Sequence, residues 1–223
     1  MGGLHAGHQF LIRKARETSS IKDPIVLVSI FINPLQFSEN EDFEKYPKNL
    51  KRDSELACAS GADAIWAPKV SEVFPGGEDS HFKIQVPLTL HKQLCGANRK
   101  GHFDGVATVI IRLIKLIQPA TLILGEKDWQ QLIIIRELFK ELCIATKIQS
   151  YPTLRDKNGF AYSSRNSYLS KLEQQKALSL PQSLKEVRDE FHTTKKINLD
   201  KAASKLKEND LEIEYLKIVD AYT

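Results

Sequence analysis

The chain has 223 residues, enough for one or two domains, and its 42% hydrophobic and 27% charged content fits a globular core rather than a disordered or fibrous polypeptide. Its 32 lysines and arginines exceed 28 aspartates and glutamates by four, and they are scattered, which is too mild an excess for a nucleic-acid surface. No apolar run approaches the roughly 18 residues of a membrane-spanning helix, since even the stretch 110–117 is broken by Arg112 and Lys115.

In chain order, His5-Ala6-Gly7-His8 is followed by Phe10, Leu11, Ile12 and Ala15 at helical spacing, which predicts a helix opening at the histidines. Residues 25–32 form a nearly unbroken, β-branched apolar run, the pattern of a central parallel strand covered on both faces. Residues 49–60 predict a helix stopped by Gly61, and 64–67 a second short strand. Val106, Val109, Ile110, Leu113, Ile114 and Ile117 recur at steps of one helical turn before Pro119, predicting an amphipathic helix. Residues 121–124 form a third strand, Asp128 caps a helix running to about Leu142, and 147–150 form a fourth strand.

Strand alternating with helix implies a parallel sheet. Past Pro152 the texture changes. Asn158-Gly159 between two short extended runs predicts a hairpin. Ser170 and Glu173 make a capping box for a helix to about His192, restarted or kinked at Pro181, and 211–219 has the look of a strand. The expected organisation is a larger α/β domain over residues 1–153 and a small α+β domain over 154–223. The opening residues lack the basic and apolar regions of a secretory signal, which makes the cytosol the expected compartment. Cys58, Cys95 and Cys143 show no C-x-x-C spacing and predict reduced, mostly buried thiols.

Four constellations carry chemistry. His5 and His8 at a helix N-terminus lie one turn apart beside free backbone N–H groups, a setting that attracts phosphate and disfavours protonated imidazole. Gly7 leaves room for a nucleotide close to the backbone. Zinc is a weaker alternative, because no third ligand stands at a helpful spacing. Gly125-Glu126-Lys127-Asp128 follows the third strand, at the carboxyl edge where open α/β sheets bind ligands. There Lys127 can meet phosphate, Asp128 ribose or a metal, and Gln131 faces the same side one turn on. A solvated turn with a helix cap is the competing reading. Ser163-Ser164-Arg165-Asn166, after the hairpin, suits a mobile phosphate clamp, although the run is also ordinary loop composition. Asn33-Pro34-Leu35-Gln36 ends the first strand and suits a pocket for a small polar substrate, or else a strand end whose amides satisfy loop backbone.

Together with Tyr46-Pro47 and Arg99-Lys100-Gly101-His102-Phe103-Asp104-Gly105-Val106, these elements resemble the pantothenate synthetase family in order and over most of the chain. The H-x-G-H element alone marks a whole superfamily of nucleotidylyltransferases. The resemblance implies a Rossmann-like parallel-sheet nucleotidylyltransferase domain with a small α+β C-terminal domain acting as a lid. It also implies ATP-dependent joining of pantoate to β-alanine through pantoyl adenylate, with Mg²⁺ and a homodimeric assembly. Residues implied to contact ATP are Met1, His5, His8, Gly125, Lys127, Asp128, Leu154, Tyr162, Ser163, Ser164 and Arg165. His8 takes the proton-donor role, His5 and Lys127 act with it, and Gln36 and Gln131 hold pantoate, with Gln36 also near β-alanine. Closure of residues 162–166 is expected to keep water from the acyl adenylate.

Three positions depart from the family pattern: Lys100 for the usual proline, Trp129 for phenylalanine, and Tyr162 for a smaller apolar residue, which puts a phenol beside the clamp. The family's preceding strand and closing strands are absent, and loss of a central strand is expected to leave backbone groups unpaired. A fragment, a misplaced start or a degraded relative are the readings of those ends. Alternatives to the ligase are another H-x-G-H nucleotidylyltransferase, or a noncatalytic remnant that still binds nucleotide.

Overall fold

A computed structural model describes residues 2–38, 41–77 and 80–220. The chain divides into two compact units, Met1–Thr153 and Leu154–Thr223.

The first unit begins with α1 (Ala6–Glu17), then β1 (Leu27–Ser29), a 3-10 turn at Pro34–Gln36, α2 (Leu50–Ala59) and β2 (Ala64–Trp66). Three single-turn helices follow, α3 (Val70–Val73), α4 (Leu88–His91) and α5 (Cys95–Asn98), before α6 (His102–Ile117) and β3 (Thr121–Gly125). A 3-10 turn at Glu126–Asp128 leads into α7 (Trp129–Glu141), and β4 (Lys147–Tyr151) closes the unit. Both strand pairs are parallel, β1 with β2 from Leu27↔Ala64 to Ser29↔Trp66, and β3 with β4 from Thr121↔Lys147 to Gly125↔Tyr151. Among the described residues these ladders form two separate two-stranded sheets.

The longest helix organises the core. Phe103, Val106, Ala107, Val109 and Ile114 of α6 are buried, and each large apolar side chain removed from water contributes about 1.5–3 kcal/mol. Val106 and Ile114 pack with Ile135, Phe139 and the β3 residues Leu122 and Leu124, while Val109 packs with Phe31, Val73 and Phe74. A third cluster joins Leu4 and Ile12 to Val26, Val28 and Ala57. Gln118, in the left-handed conformation, ends α6 just before Pro119.

Two expectations about burial in this unit fail. The run at 25–32 forms only a three-residue strand, with Ile25 80% exposed and Leu27 also exposed, so it is not covered on both faces. Among the described residues β1 pairs on one side only, so β-branched composition alone did not extend it. The cysteines are not mostly buried: Cys58 and Cys143 are exposed and Cys95 is partly so, because each lies at a helix end or in a connection.

In the second unit the Asn158-Gly159 turn closes a short hairpin through an antiparallel bridge, Arg155↔Ala161. Gly159 adopts φ +85°, which an L side chain resists, and the Asp156 carboxylate accepts the N–H groups of Asn158 and Phe160 at 2.8 and 2.9 Å. A 3-10 turn, Ser164–Tyr168, follows, then α8 (Lys171–Ala177), opened by the Ser170–Glu173 capping box, and α9 (Ser179–Thr194), which Pro181 enters in its first turn. The last helix, α10 (Leu199–Glu208), buries Ala202 and Leu206 in the packing of α9 with α10. Residues 211–219 are not a strand. They are irregular and mostly exposed, since alternating apolar residues make a strand only when a partner supplies hydrogen bonds.

Candidate active site

The N-terminal segment is fixed from beneath before it reaches the histidines. Asp53, in the first turn of α2 and 1% exposed, accepts the N–H of Gly3 at 2.8 Å and of Leu4 at 2.7 Å. Leu4 is buried beside Ile12, so the chain enters α1 at a set angle. His5 is the N-cap: its Nδ1 accepts the Gly7 N–H at 3.1 Å, and His8 Nδ1 accepts the His5 N–H at 3.3 Å. With both Nδ1 atoms acting as acceptors, the neutral rings each carry their hydrogen on Nε2. The two rings lie 4.0 Å apart, centroid to centroid.

Burial, with Lys127 adding its positive charge, lowers the His5 pKa to about 4, against a smaller opposing effect of Asp128. Burial, then His5 and Lys127, lowers His8 to about 3. Both imidazoles are therefore neutral at pH 7 and offer paired Nε2–H donors at the positive end of a helix. In this state His8 carries a hydrogen-bond donor at Nε2 and no excess proton.

The Gly125–Asp128 turn reaches the same place because α1 packs on β3. Leu11 lies 3.4 Å from where a Cβ on Gly125 would stand, and Phe10 meets Tyr151 of β4 edge to face at 6.2 Å. Lys127 pairs with Asp128 at 3.0 Å, both partly exposed. Asp128 stands at the N-cap of α7, but its side chain makes no capping bond; the carboxylate faces Lys127 instead. Glu126 accepts from Ser150 at 2.8 Å, and Ser150 accepts from Arg136 at 2.9 Å, anchoring this turn to β4 and α7.

The Asn33–Gln36 element divides into two roles. Asn33 is 2% exposed and its amide is used internally: Oδ1 accepts from Leu35 N–H, and Nδ2 donates to Gly105 O at 3.1 Å and Gln36 Oε1 at 3.3 Å. For Asn33 the loop-backbone reading holds over the pocket reading. Gln36 is only partly buried, and with its Oε1 occupied it has its amide N–H groups to offer. Gln131 lies partly buried in the first turn of α7.

In the second unit, Leu154 O accepts the Tyr162 N–H at 3.3 Å across the hairpin. Ser163 Oγ accepts the Arg165 N–H at 3.3 Å, capping the 3-10 turn that carries Ser164 and Arg165, whose side chain is exposed. Asn166 donates to Ala161 O at 2.9 Å and ties that turn to the hairpin. Met1 lies outside the described residues.

Sequence reasoning missed Asp53, although its spacing, three residues before Leu56 and four before Ala57, puts a carboxylate on the apolar face of α2. It also passed over Glu41, which pairs with Arg99. No group of three or more His, Cys, Asp or Glu side chains suited to a metal occurs among the described residues.

Parallel strands linked through helices, with neutral imidazoles and a lysine gathered near one helix N-terminus, define an α/β protein of the H-x-G-H class. The sequence model of the pantoate-beta-alanine ligase family matches residues 1–223, and the chain belongs to that family. It is 69% identical over its whole length to a bifunctional pantoate ligase/cytidylate kinase of Prochlorococcus marinus (strain NATL2A), and 45% identical to one from Synechococcus sp. (strain CC9311). The chain spans 43% and 45% of the length of those two relatives. Pantothenate synthetase from Thermus thermophilus superposes with a TM-score of 0.90 at 37% identity, covering 100% of this chain and 79% of that one. The Francisella tularensis pantoate-beta-alanine ligase, complexed with beta-gamma ATP and beta-alanine, gives 0.87 at 33% identity, covering 99% of this chain and 79% of that one.

Proposed function

We propose that the chain carries out ATP-dependent condensation of pantoate with β-alanine to give pantothenate, AMP and pyrophosphate. The observation that carries this reading is the pair of neutral imidazoles, hydrogen on Nε2, at the N-terminus of α1 and within electrostatic range of Lys127. Such donors suit a triphosphate: they stabilise, by hydrogen bonds, charge that grows on the departing pyrophosphate without needing to rearrange. The anion's approach also raises both histidine pKa values, so His8 can follow hydrogen-bond donation with proton donation as the leaving oxygen gains charge.

In the first step a pantoate carboxylate oxygen bonds to the α-phosphorus of ATP as the bond to pyrophosphate breaks. In the second, the β-alanine amine bonds to the acyl carbon, AMP leaves, and the amine loses a proton. Gln36 and Gln131 hold pantoate, with Gln36 also near β-alanine. Met1, His5, His8, Gly125, Lys127 and Asp128 are the first unit's residues for ATP, and Leu154, Tyr162, Ser163, Ser164 and Arg165 are the second unit's. Mg²⁺ fits this donor set, because it binds through one or two carboxylates and substrate phosphates; Asp128 would hold it, and when bound it supplies further charge neutralisation. A homodimer in the cytoplasm completes the reading.

Isotope exchange between pyrophosphate and ATP tests it. Exchange requires pantoate, and His8→Ala lowers it at least a hundredfold, about 2.7 kcal/mol of transition-state stabilisation. Equal exchange with pantoate omitted overturns the activation step.

A further inference from the structure

Behind the Pro34–Gln36 turn lies a polar chain that the ligand contacts described above do not include. Arg99, in the link between α5 and α6, donates from Nε to Glu41 Oε1 at 2.9 Å and from a terminal nitrogen to Oε2. Its other terminal nitrogen lies 2.9 Å from His102 Nε2. A guanidinium has no lone pair to accept with, so His102 Nε2 is the acceptor and the ring hydrogen sits on Nδ1. Nδ1 in turn lies 2.8 Å from Gln36 O and donates to it.

The carbonyl so held ends a 3-10 turn, where such groups lack a partner within the turn. The same residue is gripped at its other end by Asn33 on Oε1. The turn rests directly on α6: a Cβ at Gly105 would stand 2.1 Å from Leu35 O. The chain is half-buried to buried, with side-chain exposures of 24% for Arg99 and 17% for Glu41, and His102 is 7% exposed as a whole residue. Arg99 and Glu41 meet as a planar two-point pair, which fixes direction as well as distance.

We propose that Arg99 and His102, held in line by Glu41, are positioning residues that set the backbone of Gln36 so that its amide meets pantoate. This rests on the reading of Gln36 given under the proposed function. The chain acts on what Gln36 meets and not on ATP, because the ATP-facing groups His5, His8 and Lys127 sit on other elements. Burial lowers the His102 pKa, with Arg99 adding to the effect, so the neutral ring that the relay needs is the prevailing form at pH 7.

The test is steady-state pantothenate formation by the purified protein with pantoate and ATP varied separately. Arg99→Met and His102→Phe raise the pantoate KM about tenfold, while ATP KM stays within twofold and kcat within threefold, the pattern of lost substrate binding. His102→Asn, whose amide can replace the Nδ1–H donor, keeps the pantoate KM within threefold. Glu41→Gln removes no buried apolar contact and raises the pantoate KM about threefold; it decides the matter if the larger changes prevent folding. An unchanged pantoate KM in the folded variants, or pantoate and ATP KM rising together, overturns the proposal. If the wild-type protein forms no pantothenate, the functional reading itself falls and takes this proposal with it. Wild-type activity with unaltered variants removes the proposal alone.

Discussion

Asp53→Asn is the sharpest test of how the fold holds its histidines. The carboxylate is buried and accepts two backbone N–H groups, from Gly3 at 2.8 Å and Leu4 at 2.7 Å. Asparagine has nearly the same shape but only one acceptor atom. One bond becomes neutral, and at the other an amide N–H meets a backbone N–H with no acceptor between them. A hydrogen bond to a charged group contributes about 1.5–3 kcal/mol, and a buried donor left unsatisfied costs about 1–3 kcal/mol. The change should therefore cost about 3 kcal/mol. For a chain of this size each kcal/mol moves the melting temperature by about 2–4 °C, which gives a fall of about 6–12 °C in a thermal melt followed by circular dichroism. Because Leu4 and His5 leave this anchor together, ATP affinity should fall as well. A melting temperature within 1 °C of wild type would refute the anchoring argument.

The histidines also predict an acid slope. Their folded pKa values, about 4 and about 3, lie below the ordinary 6.5, so between pH 6.5 and 4 the unfolded chain binds protons that the folded protein refuses. Stability is thus greatest above that window and falls as pH drops through it. The urea midpoint of His8→Gln should lose less than wild type between pH 7 and pH 5, and equal losses would show that burial does not hold His8 neutral. Gly105→Ala should destabilise by about 3 kcal/mol or more, since its Cβ would stand 2.1 Å from Leu35 O and 2.5 Å from Leu35 C, both backbone atoms. Soluble yield and melting temperature measure this, and a wild-type melt would contradict the close approach of α6 to the turn.

Periodicity made α1 and α6 legible, and the capping box announced α8, because these helices are specified by contacts one turn apart along the chain. β3 and β4 were legible for a related reason: short runs with room for a strand lay beside helices that had to cross over. The run at 25–32 misled, since its composition states what could be buried and not how far pairing extends. The stretch 211–219 misled in the same way, as its alternation joins no strand ladder among the described residues.

The site was legible as residue types at local spacings: His5 with His8, Lys127 with Asp128, Gln36 behind Pro34. Their chemistry was legible in part, since a helix N-terminus by itself disfavours protonated imidazole. The sequence by itself determined that two imidazoles would share a helix N-terminus, because three residues of spacing is one helical turn. Only the tertiary structure decided that Asp53 anchors the segment before the histidines, that Lys127 helps keep the rings neutral, and that Asn33 is scaffold rather than ligand. Those outcomes depend on groups 49 and 72 residues apart, Leu4 with Asp53 and Asn33 with Gly105. Hydrogen bonds and electric fields act through space, and the meeting of such distant groups is set by packing of whole elements rather than by any local pattern.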